Sequence, residues 1–326
     1  MRYFLTGATG FVGGYLARLL REAGHEVRCL VRTPAAAGAL TRLGATLYTG
    51  DVTDKSSMRE PMAGVDGVFH VAAWYKVGAR DQSPAAPTNI DGTRNVLELM
   101  RELEIPKGVY TSTLAVNSDT HGQLVNESYR FTGTHLSEYD RTKAAAHELA
   151  EQMIAQGLPL VIVMPGLIYG PGDTSSVREM LVQFLKRRLP MVPRETSFSW
   201  AHVEDVARAH VLAMERGKVG EKYIVCGQTH TLAESFELAS KLCGRRAPLV
   251  APSFLFKPLV KPLRILEKYI PLPATYSAEA MQISSGLTYI GDNAKAKAEL
   301  GFQPRALSVG LAETLEHEMK LLGIKR

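Results

Sequence analysis

Tyr139 and Lys143 lie four residues apart in a stretch of helical periodicity, which stacks their side chains on one face. A tyrosine alone is a poor acid–base near neutrality, because its phenol has a pKa of about 10. A neighbouring ammonium favours the phenolate and is expected to lower that value, making the tyrosine a usable proton donor to a carbonyl. Such pairs also arise by chance on many helices. Two upstream features raise this one above chance: three hydroxyls, Thr111, Ser112 and Thr113, ending a predicted strand, and a glycine-rich loop at the start of the chain. In a parallel sheet the C-terminal strand ends face the ligand crevice, so one of those hydroxyls can bond a substrate oxygen.

The loop runs Thr6-Gly7-Ala8-Thr9-Gly10-Phe11-Val12-Gly13, between an apolar strand and a helix patterned through Leu16, Leu19 and Leu20. Gly7 allows a sharp turn, Gly10 lets backbone approach a pyrophosphate, and Gly13 lets helix and strand pack closely. The phosphates would then meet free N–H groups at the helix N-terminus. Three glycines alone are ordinary turn chemistry. Between a strand and an amphipathic helix they point to a dinucleotide.

A regular alternation of elements must position these residues. Strands are predicted at Glu26–Val31, Thr46–Thr49, Gly67–Val71, Gly108–Ser112 and Leu160–Met164. Helices are predicted at Ala35–Leu43, Lys55–Ala63, Pro87–Glu104 and Ser137–Ala155. The pattern predicts an α/β fold, a doubly wound parallel sheet of the Rossmann type with helices on both faces. Beyond Gly166 the alternation fails. Pro171-Gly172-Asp173 is expected to cap a helix reaching about Arg188, and His202–Arg216 to be helical. Glu221–Val225 reads as a returning strand, with terminal helices at Asn293–Leu300 and Leu307–Leu322. The expected division is a dinucleotide-binding domain of 1–166, to which 196–225 returns, and a smaller, mostly helical C-terminal substrate lobe of 167–195 and 226–326. A length of 326 residues suits two such units.

Hydrophobic residues at 45% and charged residues at 22% are ordinary for a soluble enzyme, and the net charge of +5 is spread along the chain. Nucleic-acid binding calls for a concentrated basic face, so no nucleic-acid partner is expected. Three scattered cysteines match no metal-ligand spacing and suit a reducing cytoplasm. The histidines form no ligand set either, and no metal is expected. No apolar run reaches membrane-spanning length, and the chain opens on a strand with no charged leader, so the expected location is cytoplasmic.

Read together, these motifs resemble the extended short-chain dehydrogenase/reductases, of the NAD-dependent epimerase/dehydratase superfamily. The matching residues are the loop Thr6–Gly13, Gly50-Asp51-Val52, His70-Val71-Ala72-Ala73, Asn89–Leu97, Tyr139 with Lys143, and Pro165–Asp173. His202–Ala207 and Ala296–Phe302 complete the series, in order along nearly the whole chain. Within the family the chain looks most like the dihydroflavonol-reductase-like branch, which includes proteins labelled hopanoid-associated sugar epimerases. The resemblance implies that Tyr139 is the catalytic acid–base and that Lys143 binds the nicotinamide ribose and tunes the tyrosine. Thr113 aligns with the third polar catalytic position, with Ser112 as the less favoured occupant. Gly7, Thr9, Gly10, Phe11, Val12 and Gly13 would hold the pyrophosphate. Asp51 and Val52 would flank the adenine, Ala72 and Ala73 the adenosine ribose and pyrophosphate side, and Pro165 and Gly166 the nicotinamide. Asn89 is expected to be structural. Family members often form homodimers through two helices, here Pro87–Glu104 and Ser137–Ala155.

Relatives that prefer NAD usually carry an acid at the end of the second strand, where this chain has Val31-Arg32. An arginine there can bond a 2′-phosphate through its planar fork, so NADP(H) is favoured and NAD(H) remains open. Sugar-nucleotide enzymes of the family often have Asn where Leu167 stands, and dehydratases an acidic pair where Leu114-Ala115 stands. These departures favour reduction of a carbonyl on a small, rather apolar molecule. The alternatives are a nucleotide-sugar epimerase or dehydratase holding its cofactor tightly, with Arg178, Lys186, Arg187 and Arg194 as phosphate partners, and a non-catalytic cofactor sensor. The stretch from Phe254 to Leu266 is apolar with interspersed Lys and Arg. It is expected to pack the small lobe, to wall the substrate pocket, or to lie weakly on a membrane surface.

Overall fold

The computed structural model describes residues 1–76, 79–267, 269–270, 277–283 and 285–325. From Pro248 to Pro273 the sequence is rich in Pro and large apolar residues, and of this stretch residues 268 and 271–273 lie outside them.

The first half is built from β1 (Arg2–Thr6), α1 (Phe11–Glu22), β2 (Glu26–Val31), α2 (Gly38–Arg42), β3 (Thr46–Thr49), α3 (Lys55–Met62), β4 (Gly67–His70), α4 (Gly92–Glu102), β5 (Gly108–Thr111), α5 (Glu138–Ala155) and β6 (Leu160–Pro165). The second half continues with β7 (Leu167–Tyr169), α6 (Ser176–Leu185), β8 (Met191–Pro193), β9 (Ser197–His202), α7 (Val203–Arg216), β10 (Lys222–Val225), β11 (Thr229–Thr231) and α8 (Leu232–Cys243). It ends with β12 (Leu249–Ala251), α9 (Lys257–Leu266), α10 (Ala278–Ile283), β13 (Thr288–Tyr289) and α11 (Leu307–Leu321).

Seven strands form one parallel sheet in the order β10-β6-β5-β4-β1-β2-β3. The chain leaves β1 toward β3, then returns to the other side of β1 with β4. Between β1 and β4 the winding reverses, which opens a crevice at their C-terminal ends. The central strands are buried on both faces, and β6 has no exposed residue in Leu160–Pro165. On one side α1 buries Val12, Leu16, Ala17 and Leu20 and packs on α7. Each buried leucine of that kind contributes roughly 1.5–3 kcal/mol. On the other side α4 and α5 cover the sheet with Val96, Leu97, Met100, Ala146 and Ala150 in one continuous core.

The region beyond β6 departs most from the sequence reading. Among the described residues it carries six short strands outside the main sheet besides its helices, with β7, β9, β11 and β13 joined in a second sheet and β8 paired with β12. Within 196–225, β9 belongs to this second sheet, whereas α7 packs against the main one and β10 pairs with β6. These strands span two to six residues, too short for a period to register. Helix α8 was also missed, although Thr231 and Glu234 form a reciprocal capping box at its start and Gly244 closes it at φ 68°. The helix expected from Pro171 begins later: Ser175 is its N-cap and accepts from the Val177 amide.

Candidate active site

The glycine loop turns directly off β1. Gly7 sits at φ +74°, and a Cβ there would come within 2.6 Å of the Ala72 amide nitrogen. A Cβ at Gly13 would lie 2.1 Å from the Gly7 carbonyl oxygen, so α1 can rest against the loop only as glycine. Gly10 is the N-cap of α1 with no side chain to compete for the free amides, which leaves them available to an anion.

A buried polar string, unforeseen in the sequence, ties the strand ends together. Thr6 Oγ1 lies 2.8 Å from His70 Nδ1, and His70 Nε2 lies 3.0 Å from Thr93 Oγ1. The Val71 and Ala72 amides also donate to Thr6 Oγ1. Burial, with the Lys143 ammonium adding to it, pushes His70 down to about 3, so it serves as a neutral linker between β1, β4 and α4.

Ser137 caps α5 by accepting the Asp140 amide at 2.9 Å, which sets Tyr139 in the first turn and Lys143 one turn on. Lys143 is buried and donates from Nζ to the Thr111 carbonyl at 2.7 Å and to the Tyr110 hydroxyl at 3.1 Å. Burial lowers its pKa to about 7. The phenol of Tyr139 moves opposite to the sequence argument. Desolvation by the cavity walls pushes it well above its ordinary value, with Tyr75 adding to the rise and a hydrogen bond with Thr113 opposing it. Spacing alone put the ammonium on the right face; it did not show that Lys143 would spend its donors on β5. The Tyr75 ring meets Tyr139 edge-on at 4.7 Å.

The three hydroxyls after β5 part company. Thr111 Oγ1 turns to His210 Nε2 at 2.7 Å, and Ser112 Oγ turns to His147 Nδ1 at 2.7 Å. Thr113 is the one placed beside Tyr139, and its oxygen also accepts the Ala115 amide at 3.1 Å. Asn89 is buried and grips Trp74 through both its amide and its carbonyl while donating to Thr142 on α5. It therefore holds the loop after β4 against α5.

The glycine loop, the three hydroxyls after β5, Tyr139 and Lys143 border one cavity of about 670 Å³. Its lining includes Gly7, Thr9, Gly10, Phe11, Val12, Gly13, Arg32, Asp51 and Val52 at one end, with Ala72, Ala73, Pro165 and Gly166 further along. Ser112, Thr113, Tyr139 and Lys143 lie at the middle. The Arg32 side chain is 83% exposed, and its Nε stands 4.0 Å from Asp51 Oδ2. A surface pair that long contributes little and leaves the guanidinium available to another anion. Asp51 spends its other oxygen on the Thr53 amide and hydroxyl.

The far end of the cavity was not legible in the sequence. Leu167, Met180, Phe198, Leu232, Ile283 and Tyr289 wall it, drawn from β7, α6, β9, α8, α10 and β13. Two carboxyl groups are set into that wall. Asp140 is 3% exposed, accepts from the Tyr289 hydroxyl at 3.3 Å, and is raised by burial to about 7. Asp173 is likewise buried and raised by burial, and accepts the Ser175 amide and hydroxyl. The stretch expected to supply this wall does not reach it: none of 254–266 lines the cavity, and Phe254 and Leu259 face outward. It packs the lobe only through Phe256, which is buried, since α9 itself buries no residue. Arg178 is tied to the buried Glu318 at 2.8 Å, and Lys186, Arg187 and Arg194 stand outside the cavity lining. Among the described residues no group of three or more His, Cys, Asp or Glu could hold a metal ion.

A dinucleotide loop at a sheet switch point, running into a Tyr–Lys–Thr cluster, defines an oxidoreductase fold of the extended short-chain dehydrogenase/reductase type. Residues 3–226 match the NAD dependent epimerase/dehydratase family, and the chain belongs to it. A Synechocystis protein bearing the provisional name dihydroflavonol 4-reductase is 33% identical, with 96% of this chain and 93% of that one covered. A Stigmatella aurantiaca ketoreductase of a farnesyl-bearing dihydroquinoline oxide is 34% identical over 69% of this chain and 68% of its own. The solved structure of Thermotoga maritima UDP-glucose 4-epimerase superposes with a TM-score of 0.78, covering 99% of this chain and 100% of that one, at 24% identity. That likeness speaks for the fold. The protein is thus an NAD(P)-dependent enzyme of this family.

Proposed function

We propose that the protein is an NADP(H)-dependent reductase of a carbonyl on a small, largely apolar and uncharged molecule. The observation that carries this reading is the far half of the cavity, which has apolar walls, two buried carboxyl groups and, among the described residues, no buried cation beyond Lys143. A diphosphate placed there would face Asp140 and Asp173 with no buried cation but Lys143 to balance it, whereas a neutral ketone or aldehyde loses little on entering. The relatives whose names denote reductases accord with it.

In this reading the glycine loop and the first turn of α1 hold the pyrophosphate, Asp51 and Val52 flank the adenine, and Ala72, Ala73, Pro165 and Gly166 line the rest of the dinucleotide. The cofactor supplies hydride to the carbonyl carbon. Tyr139 Oη donates its proton to the carbonyl oxygen, and Thr113 Oγ1 orients that oxygen. Lys143, one turn along α5 from the tyrosine, holds the nicotinamide ribose. Ser112, engaged with His147, positions α5 against β5 and takes no part in the chemistry. Arg32 favours NADP(H) by bonding a 2′-phosphate at the rim, swinging from Asp51 to do so. The test is stoichiometry: with an aromatic or aliphatic ketone, each added NADPH consumed should yield one alcohol. Protein that keeps a full complement of nucleotide through purification, consumes no added NADPH and interconverts sugars would be an epimerase instead.

A further inference from the structure

The exposed apolar surface of this protein is concentrated in one place. Of the sixteen exposed large apolar side chains among the described residues, nine fall between Leu249 and Ile270. The rest are scattered, and none lies on α4 or α5, the helices on which a family-type dimer would rest.

Helix α9 organises this patch. At about 100° per residue, its weakly buried stripe is Val260 and Leu263, continuing the buried Phe256 before it. The outward surface then divides in two. Lys257, Lys261 and Arg264, spaced four and three residues apart, form one basic flank, and all three are exposed. Leu259, Pro262 and Leu266, spaced three and four, form the adjoining apolar flank, with Ile265 beside them at 62% exposure. Phe254 and Tyr269, at 65% and 80% exposure, extend it at either end. A helix with a cationic flank beside an apolar one suits the boundary between lipid headgroups and acyl chains. No helix among the described residues is long and apolar enough to cross a membrane, so any contact of this kind is made at the surface.

We propose that α9 and its flanking residues dock the protein on a membrane surface carrying anionic lipids. Charge chooses this occupant over a second copy of the chain. Between Leu249 and Ile270 the sequence holds four cations and a single acid, Glu267. That carboxylate already accepts the Ala278 amide at 2.6 Å. A self-complementary contact would bring apolar cover but no anions for Lys257, Lys261 and Arg264, whereas an anionic bilayer supplies both. The patch also adjoins the cavity. Arg264 donates to Gln282 on α10 at 3.0 Å, and the next residue, Ile283, is part of the cavity wall. Docking by α9 therefore brings that wall close to the lipid, on a face separate from α4 and α5. This inference stands on surface residues and holds whether the enzyme reduces ketones or converts sugars.

The experiment is co-sedimentation of the full-length protein with phosphatidylcholine vesicles, with and without phosphatidylglycerol. Binding is expected to be at least about tenfold tighter to the anionic vesicles, since each cation near such a surface contributes about fivefold. The double variant Leu259→Asp, Ile265→Asp should lose about tenfold or more on those vesicles. The triple variant Lys257→Gln, Lys261→Gln, Arg264→Gln should fall to the neutral-vesicle level. Unchanged circular dichroism and NADPH affinity in both variants establish that they fold. No binding to either vesicle, equal binding to both, or unchanged binding by the double variant overturns the proposal. So does a change in solution mass in the double variant with no vesicle binding by the parent, which would assign the patch to a second copy.

Discussion

The two halves of the cavity are made in different ways. The cofactor half is backbone: Gly7, Gly10 and Gly13 carry no side chain, and the free amides at the start of α1 are the groups proposed to bind. The far half is side chains, contributed by six elements spread from Leu167 to Tyr289. Backbone binding tolerates no bulk and requires a fixed local sequence. A side-chain wall can be rebuilt from any residues of suitable volume, so it carries specificity and leaves no motif. Tyr139, Lys143 and Thr113 stand at the seam.

Changes at the seam should separate the halves most sharply. Tyr139→Phe keeps the ring against Tyr75 and removes the proton donor. Turnover is expected to fall by about 10²-fold or more, with NADPH affinity nearly unchanged. Steady-state kinetics and a fluorescence titration give both numbers, and equal losses in the two would erase the distinction. Lys143→Met should damage both halves, because Nζ is bonded to the strand end at Thr111 and is assigned to the ribose. A variant that lost only kcat would remove Lys143 from the cofactor half.

Arg32→Ala probes the outer end of the cofactor half alone. A charge-assisted bond to a 2′-phosphate is worth roughly 1.5–3 kcal/mol, so NADPH should bind about 10- to 100-fold more weakly while NADH changes little. Parallel loss for both cofactors would mean that another group reads the phosphate.

Asp140→Asn probes the far half and is the smallest effect. Burial raises this carboxyl to about 7, above its unfolded value of about 3.9. The folded state therefore holds the proton longer, and stability falls as pH rises from about 4 to about 7. Asparagine can still accept from Tyr289 but never ionises. The variant should match the parent near pH 4 and gain steadily to pH 7, by about 2–4 °C in Tm for each kcal/mol. Melting curves across that range check it; a constant difference would show that Asp140 is not the titrating group.

What the sequence made legible follows the same division. The loop, the Tyr–Lys spacing and the strands of the main sheet are contiguous signals, and Gly7, Thr9–Gly13, Tyr139 and Lys143 all line the cavity. Alternation along a strand sends Thr111 and Ser112 to opposite faces. The Thr111 hydroxyl goes to α7 and that of Ser112 to α5, whereas Thr113, just past the strand end, bonds Tyr139. The far half offered no such handle. Phe198 and Leu232 read as ordinary core residues, and β9 mixes serine with aromatics because both its faces are covered. The apolar run near 254–266 looked like a wall because composition reports apolarity without direction. Burial, likewise invisible in spacing, reversed the expected shift of Tyr139.

The central claim, that the far half accepts a neutral apolar carbonyl, is tested most directly by a substrate panel under one set of conditions. UDP- and dTDP-sugars are set against aromatic and aliphatic ketones and aldehydes, following NADPH oxidation and sugar isomers together. The account predicts NADPH-dependent reduction of at least one neutral carbonyl compound and no micromolar binding of any nucleotide sugar. Micromolar binding of a nucleotide sugar, with none of the carbonyl compounds reduced, would contradict it.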